Sequence, residues 1–305
     1  MTPKPHLTSE LALAIQRHQP IVALESTVIT HGLPHPQNLE LAREMESTVR
    51  AEGSIPATIA IIEGEIRIGL GDDQLQRLAL GSGALKISLR DFAAAIVQKK
   101  NGGTTVAGTM FAAQMAGINV FATGGIGGVH RESRWDVSTD LQALSNIPMI
   151  VVCAGAKSIL DLPSTLEYLE TLGVPVIGYR ADRFPAFFSI SSGLPVSARM
   201  DSPEAVAEFA HAHWSLGMKS AVLVCQPVPN EFAWDNAEAE AIEEQASAEA
   251  IAQGVRGQAI TPFLLKRVNE LSRGKSMRAN LALLKNNAKL AAQIAKAMHP
   301  RGNAS

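Results

Sequence analysis

The 305-residue sequence predicts an α/β protein: a mostly parallel central sheet layered between helices (α/β/α), with a helical C-terminal region from about residue 236. Three observations carry that expectation. Short apolar runs of strand length alternate with helical patterns along the chain, as βαβ units with a parallel sheet require. Hydrophobic residues make up 46% of the chain and charged residues 18%, enough for a large core and the opposite of a disordered composition. Aromatics are only 5%, so that core is built from Ala, Gly, Ile and Val.

The elements follow in order. Ile21–Leu24, after Pro20, reads as a short buried strand. Asn38–Glu52 reads as a helix with Asn38 as its N-cap and Gly53 just past its end. Ile55–Ile62 and Ile66–Ile68 flank Glu63-Gly64-Glu65 as a hairpin. Asp72 caps a helix through Leu80, Leu85–Leu89 resumes the strand pattern, and Asp91–Gln98 is helical. Thr104–Ala107 is expected as a strand, Thr109–Ala116 as a helix stopped by Gly117, and Asn119–Thr123 as another strand. Met149–Cys153 and Val174–Tyr179 are the clearest buried strands, separated by a helix from about Ser164 to Leu172. A helix over Pro203–Leu216 and a strand over Ala221–Cys225 come next. Asn236–Gln253, Thr261–Leu271 and Ser276–Met298 are helical, the first of them Ala/Glu-rich and expected to face solvent or pack between subunits. There is no internal repeat and no low-complexity linker, and the break at Pro227, Pro229 and Asn230 is short. Residues 1–305 therefore read as one α/β domain.

Charge excludes some functions. Twenty-seven basic against 29 acidic residues give −2 formally, which excludes a globally basic nucleic-acid binder. Cys153 and Cys225 are too few for a disulfide framework or a cysteine zinc site. No apolar stretch approaches the ~20 residues that cross a bilayer, and the Leu11–Ile15 patch is too short for a secretory signal. A cytoplasmic protein with no membrane or nucleic-acid partner is the expectation.

In such folds ligands sit at the carboxyl ends of the strands. The loop Gly124-Gly125-Ile126-Gly127-Gly128-Val129-His130-Arg131 follows a strand, and its glycines let backbone amides approach an anion. It lacks the dinucleotide fingerprint, because His130 stands where the last glycine is required. Gly274-Lys275-Ser276 has the tail of a phosphate-binding loop, but Asn269 occupies the place of its first glycine. The glycine loop is thus either a phosphate or polyol cradle or a tight packing turn. Lys157 lies just past a buried strand among small residues that leave its amine short of water, a setting for a nucleophile. A solvated lysine at a helix start is the plainer alternative. Glu25 holds the equivalent place after the first strand, where burial suits a general acid, although a cap or surface pair explains it equally. Asp136, Ser138 and Asp140 offer hard oxygen ligands for magnesium or manganese, or simply cap the helix beginning near Leu141. Arg273, Lys275 and Arg278 form either a phosphate cluster or a solvated helix entry.

Together these residues resemble the pseudouridine-5′-phosphate glycosidases, a family related to the indigoidine synthase A proteins. The resemblance rests on residues 23–32 (ALESTVITHG), 56–60 (PATIA), 101–107 (NGGTTVA), 121–131, 151–162 (VVCAGAKSILDL) and 261–265 (TPFLL), and spans about 8–298. It implies Glu25 as proton donor, Lys157 as nucleophile, and Asp136 as the residue holding one Mn²⁺ per subunit largely through water, other divalent cations being possible. It further implies substrate contacts from Lys86, Val106, Ser138, Thr139 and Asp140, with Asp140, His130 and Asn280 as further active-site polar groups. One departure is the Arg131–Trp135 segment, shorter than in some relatives. The resemblance also implies a homotrimer that interconverts pseudouridine 5′-phosphate with uracil and ribose 5-phosphate. The rival readings are a Schiff-base lyase on another C-nucleotide or sugar phosphate, and a non-catalytic sugar-phosphate sensor. A sensor needs no lysine nucleophile beside a proton donor.

Overall fold

The computed structural model describes residues 4–81, 83–131, 133–255 and 260–299. Its strands are β1 (His6–Leu7), β2 (Ile21–Leu24), β3 (Ile55–Ile62), β4 (Glu65–Ile68), β5 (Leu85–Ile87), β6 (Gly102–Thr104), β7 (Val120–Ala122), β8 (Val129–His130), β9 (Ser133–Val137), β10 (Ile150–Cys153), β11 (Leu160–Asp161), β12 (Val176–Tyr179), β13 (Ala198–Met200) and β14 (Val222–Cys225). The helices are α1 (Ser9–Gln16), α2 (Gln37–Ala51), α3 (Asp72–Leu80), α4 (Phe92–Val97), α5 (Val106–Met115), α6 (Thr139–Asn146), α7 (Leu162–Thr171), α8 (Pro203–Ser215), α9 (Asn236–Ala252), α10 (Ile260–Leu271) and α11 (Lys275–Ala297).

The main sheet runs β1-β4-β3-β2-β7-β10-β14-β12-β13, with β6 on β3 and β5 on β6. From β3 through β13 every neighbour on this path is parallel, while β4 and β6 run antiparallel to β3. Strands β2, β10, β12 and β14 are buried at every position, as expected of parallel strands covered by helices on both faces. Helix α11 lies across β2, β7 and β10 with α2 and α8 beside it, while α5 packs on β2 and β3 and against α6. The expected α/β class with flanking helices is what the chain forms. No helix among the described residues is long and apolar enough to cross a membrane. Cys153 and Cys225 face each other in register on β10 and β14 as free thiols, Sγ to Sγ 3.8 Å.

Several expectations need correction. Asn38 is not an N-cap: it lies inside the first turn of α2, buried, and its amide donates to the carbonyls of Ile29 (2.8 Å) and Ala79 (3.0 Å). The strand expected over Thr104–Ala107 ends at Thr104, and a helix begins at Val106 because the Thr105 hydroxyl accepts from the Gly108 N–H (3.2 Å) and caps it. The two residues before Thr104, Gly102 and Gly103, belong to β6; a Cβ on Gly103 would sit 2.4 Å from Thr30 Oγ1 and 2.7 Å from the Ser26 carbonyl oxygen. Helix α9 does not simply face solvent, since Ala239, Glu243, Ala246 and Ala250 form a buried stripe along it. The second sheet, β11-β8-β9, had no signal, because its strands are two to five residues long and carry no alternation. The Arg131–Trp135 segment includes residue 132, which lies outside the described residues.

Candidate active site

A cavity of about 410 Å³ opens at the carboxyl ends of β2, β7 and β10. It is here that the parallel strands deliver their following residues. Glu25 leaves β2 half-buried, and its neighbour Ser26 bolts that strand end in place. The Ser26 hydroxyl donates to the Ile59 carbonyl (2.5 Å) and accepts from the Thr104 N–H (2.9 Å), tying β2 to β3 and β6. Thr123, at the end of β7, donates its hydroxyl to the Glu25 carboxylate. Burial raises the Glu25 pKa above the ordinary carboxyl range, against the opposing pull of Lys157, the Thr123 hydrogen bond and Lys86. A carboxyl in that position keeps its proton to higher pH than an exposed one.

Lys157 follows β10 in a loop, not at a helix start, since α7 begins at Leu162 under its own cap, Asp161. Its N–H donates to the Ile126 carbonyl (3.0 Å), and Ile126 donates in turn to the Gly155 carbonyl (3.1 Å). The glycine loop and the lysine loop are therefore laced together. Part of the expected phosphate cradle is spent on such packing. Ile126, Gly127 and Val129 have already donated their amides, the latter two to Asp140 (2.8 Å) and Thr165 (3.0 Å). A Cβ on Gly127 would fall 2.2 Å from the Ser138 hydroxyl, so glycine is needed there for close approach.

Two helix N-termini add anion-binding capacity. Ser138 caps α6, its hydroxyl accepting from the Asp140 N–H (3.2 Å), and Thr139 is the exposed first residue of that helix. Asp140, 5% exposed, accepts from Gly127 through Oδ2 and from the Ala107 N–H in the first turn of α5 (3.0 Å) through Oδ1. Of the α5 first-turn amides, Ala107 and Gly108 are engaged, and the Val106 N–H has no partner among the described residues. Asp140 thus joins two helix starts and the glycine loop, with both oxygens occupied. Lys86, on β5, adds a cation; burial foremost, then the charge of Lys157, pushes its pKa below the ordinary lysine range.

All ten sequence-selected residues line this one cavity. Besides those above, His130 ends β8, Asp136 is exposed on β9, and Asn280 reaches in from α11. The basic cluster does not join them. Lys275 pairs with Glu238 (2.5 Å) and lies over the Trp234 ring, and Arg278 lines a separate groove. Sequence reasoning missed three supporting residues. His31 lines the cavity with Thr30 Oγ1 2.6 Å from its Nδ1, and burial, then Lys86, lowers its pKa. Its position inside the 23–32 stretch was the available signal. Thr123 and Asn287 gave none, being ordinary residues until the fold brings them in; the buried Asn287 amide donates to the Thr123 carbonyl (2.9 Å).

Residues 10–297 match the family described as Indigoidine synthase A like protein. A pseudouridine-5′-phosphate glycosidase from Caldanaerobacter subterraneus is 50% identical over 291 residues, covering 95% of each chain. One from Paracoccus denitrificans is 52% identical over 302 residues, covering 98% of this chain and 99% of its own. Among solved structures, the prealnumycin C-glycosynthase AlnA in complex with ribulose 5-phosphate superimposes with a TM-score of 0.89 at 41% identity, covering 97% of both chains. An indigoidine synthase A-like protein from Thermotoga maritima gives 0.88 at 37% identity, covering 96% of both.

Proposed function

The chain belongs to the indigoidine synthase A-like family, and from that premise we propose that its cavity cleaves the C-glycosidic bond of pseudouridine 5′-phosphate to give uracil and ribose 5-phosphate. The reaction is reversible. The observation that carries this reading is the meeting, in one cavity, of a carboxyl with a raised pKa, a strand-end lysine and two helix N-termini beside a second lysine.

The bond to be broken joins two carbons, so no leaving nitrogen can be protonated. Glu25 instead protonates the ribose ring oxygen, and the bond from that oxygen to the anomeric carbon breaks. The Lys157 amine adds to that carbon. Protonation of the uracil carbon then lets the amine's electron pair expel the base, leaving an imine on Lys157. Water hydrolyses the imine and returns the free amine with ribose 5-phosphate. Covalent catalysis divides one inaccessible cleavage into feasible steps. Lys86, the Val106 N–H and the start of α6 at Thr139 hold the sugar hydroxyls and the phosphate, an anion that helix N-termini favour. Asp140 supports them by tying both helix starts together. His130 and Asn280 supply further polar contacts to the sugar and base.

Among the described residues no group of three or more His, Cys, Asp or Glu side chains is gathered to hold a metal. Asp136 is a single exposed carboxylate, a donor set that fits only an ion keeping most of its water and taking further oxygens from substrate, as Mg²⁺ and Mn²⁺ do. Asp136 would hold such an ion, Mn²⁺ in our reading, which supplies positive charge toward the substrate phosphate. On the family resemblance we also assign a homotrimer acting in the cytoplasm.

The C-glycosynthase neighbour, solved with ribulose 5-phosphate, favours one second reading: the same lysine chemistry on another C-nucleotide or sugar phosphate. The test is incubation of purified protein with Mn²⁺ and pseudouridine 5′-phosphate, following uracil by chromatography. Equimolar uracil and ribose 5-phosphate are expected. Intact pseudouridine 5′-phosphate beside cleavage of another C-nucleotide would favour the second reading.

A further inference from the structure

Glu243 is a carboxylate in an otherwise alanine stripe of α9, 3% exposed, and burial raises its pKa while Ser158 and Arg131 pull it back down. What it meets is the last residue of the glycine loop. Arg131 Nη2 lies 3.4 Å from Glu243 Oε2 and donates to the Ser158 carbonyl (2.8 Å), while its Nε donates to the Leu160 carbonyl (3.2 Å). Those two carbonyls belong to the turn that follows Lys157, closed by the Leu160 N–H donating to the Lys157 carbonyl (3.0 Å). Neither Arg131 nor Glu243 lines the cavity.

We propose that Arg131 and Glu243 are a positioning pair: the carboxylate fixes the guanidinium, the guanidinium holds the 157–160 turn by two carbonyls, and the turn aims the Lys157 amine. The inference rests on Lys157 being the nucleophile. Its physical basis is geometric. A planar guanidinium can span two carbonyls and a carboxylate at once, which a lysine ammonium on a flexible stem cannot do in fixed directions. An amine attacking a carbon needs near-attack geometry, and a misplacement of about 1 Å costs roughly a hundredfold in rate. Lys86, Val106 and Thr139, which the proposed function assigns to the phosphate, lie outside the turn, so binding is spared.

The experiment measures borohydride trapping at Lys157 with ribose 5-phosphate as the probe, together with kcat and KM for pseudouridine 5′-phosphate. Arg131→Lys and Glu243→Gln should each trap about ten- to a hundredfold more slowly and lose kcat in parallel, with KM within about twofold. The double variant should be no slower than Arg131→Lys alone, because both act through one turn. Should Arg131→Lys fail to fold, Glu243→Gln and Glu243→Asp carry the test, Asp restoring part of the rate. Wild-type trapping rates in the folded variants, or a loss confined to KM or to melting temperature, would overturn the pair while leaving the nucleophile intact. A wild-type enzyme that turns over with no adduct on Lys157 overturns both readings together.

Discussion

Glu25 and Lys157 stand at the ends of β2 and β10, in the middle of a buried parallel sheet, whereas Asp136 and Thr139 hang from β9 and the start of α6, beside a Trp135 that is 96% exposed. The floor is held by hydrogen bonds from buried partners: Ser26 and Thr123 around Glu25, Ile126 and Gly155 around Lys157. The rim consists of exposed side chains on short elements. Bond-breaking chemistry needs groups fixed to within fractions of an ångström and kept from water; capture of a charged, hydrated substrate needs groups that meet water first. The difference predicts that floor variants lose turnover and rim variants lose affinity.

The largest effect belongs to Lys157→Ala, which removes the covalent step and should abolish uracil release within the limits of detection while leaving substrate binding measurable by calorimetry. A variant that kept even a tenth of the activity would dissolve the distinction between floor and rim. Glu25→Gln keeps the shape and removes the proton, so kcat should fall by roughly 10²–10⁴-fold with little change in binding. Its stability should move the other way. The folded pKa of Glu25 lies above its unfolded value, so its contribution to stability is fully present below the unfolded value and is lost as pH rises through the folded one. Glu25→Gln should therefore melt higher than wild type at neutral pH, with the gain shrinking as pH is lowered into the carboxyl range. A thermal scan at both pH values checks the sign.

How far the sequence reveals this division depends on the region. The floor was legible because Ile21–Leu24 and Met149–Cys153 are unmistakably buried runs, and the polar residue after each run is an exception with few explanations. The helix start at Val106 was not, because Thr104–Ala107 has β-branched residues whose strand propensity is overridden by the Thr105 cap and the engagement of Ala107 with Asp140. Nor was the role of the glycine loop. Whether its amides are free or spent depends on Asp140 and Thr165, which lie 13 and 36 residues further along the chain. Asn287 is separated from its partner Thr123 by 164 residues, a distance over which no local pattern operates.

Lys86 lies between the two regions, half-buried on a short strand, and its effect should be intermediate. Losing one charge-assisted contact of about 1.5–3 kcal/mol predicts roughly a ten- to hundredfold fall in kcat/KM for Lys86→Ala. The fall should be greater for pseudouridine 5′-phosphate than for free pseudouridine. A variant that keeps its full preference for the phosphorylated substrate would place the phosphate wholly on the helix N-termini. The smallest effect at saturating metal is expected for Asp136→Ala. It should raise the Mn²⁺ needed for half-maximal activity while leaving the maximal rate close to wild type, read from a metal titration after thorough chelation. Full activity in chelated buffer would remove the ion from the account.

In this mechanism a strand-end lysine becomes covalently attached to the sugar phosphate. Wild-type protein incubated with ribose 5-phosphate, reduced with borohydride, digested and mapped by mass spectrometry tests it directly. A single reduced pentose-phosphate adduct is expected on the peptide carrying Lys157, absent from Lys157→Ala. An active enzyme whose adduct maps to Lys86, or that forms none, would contradict it.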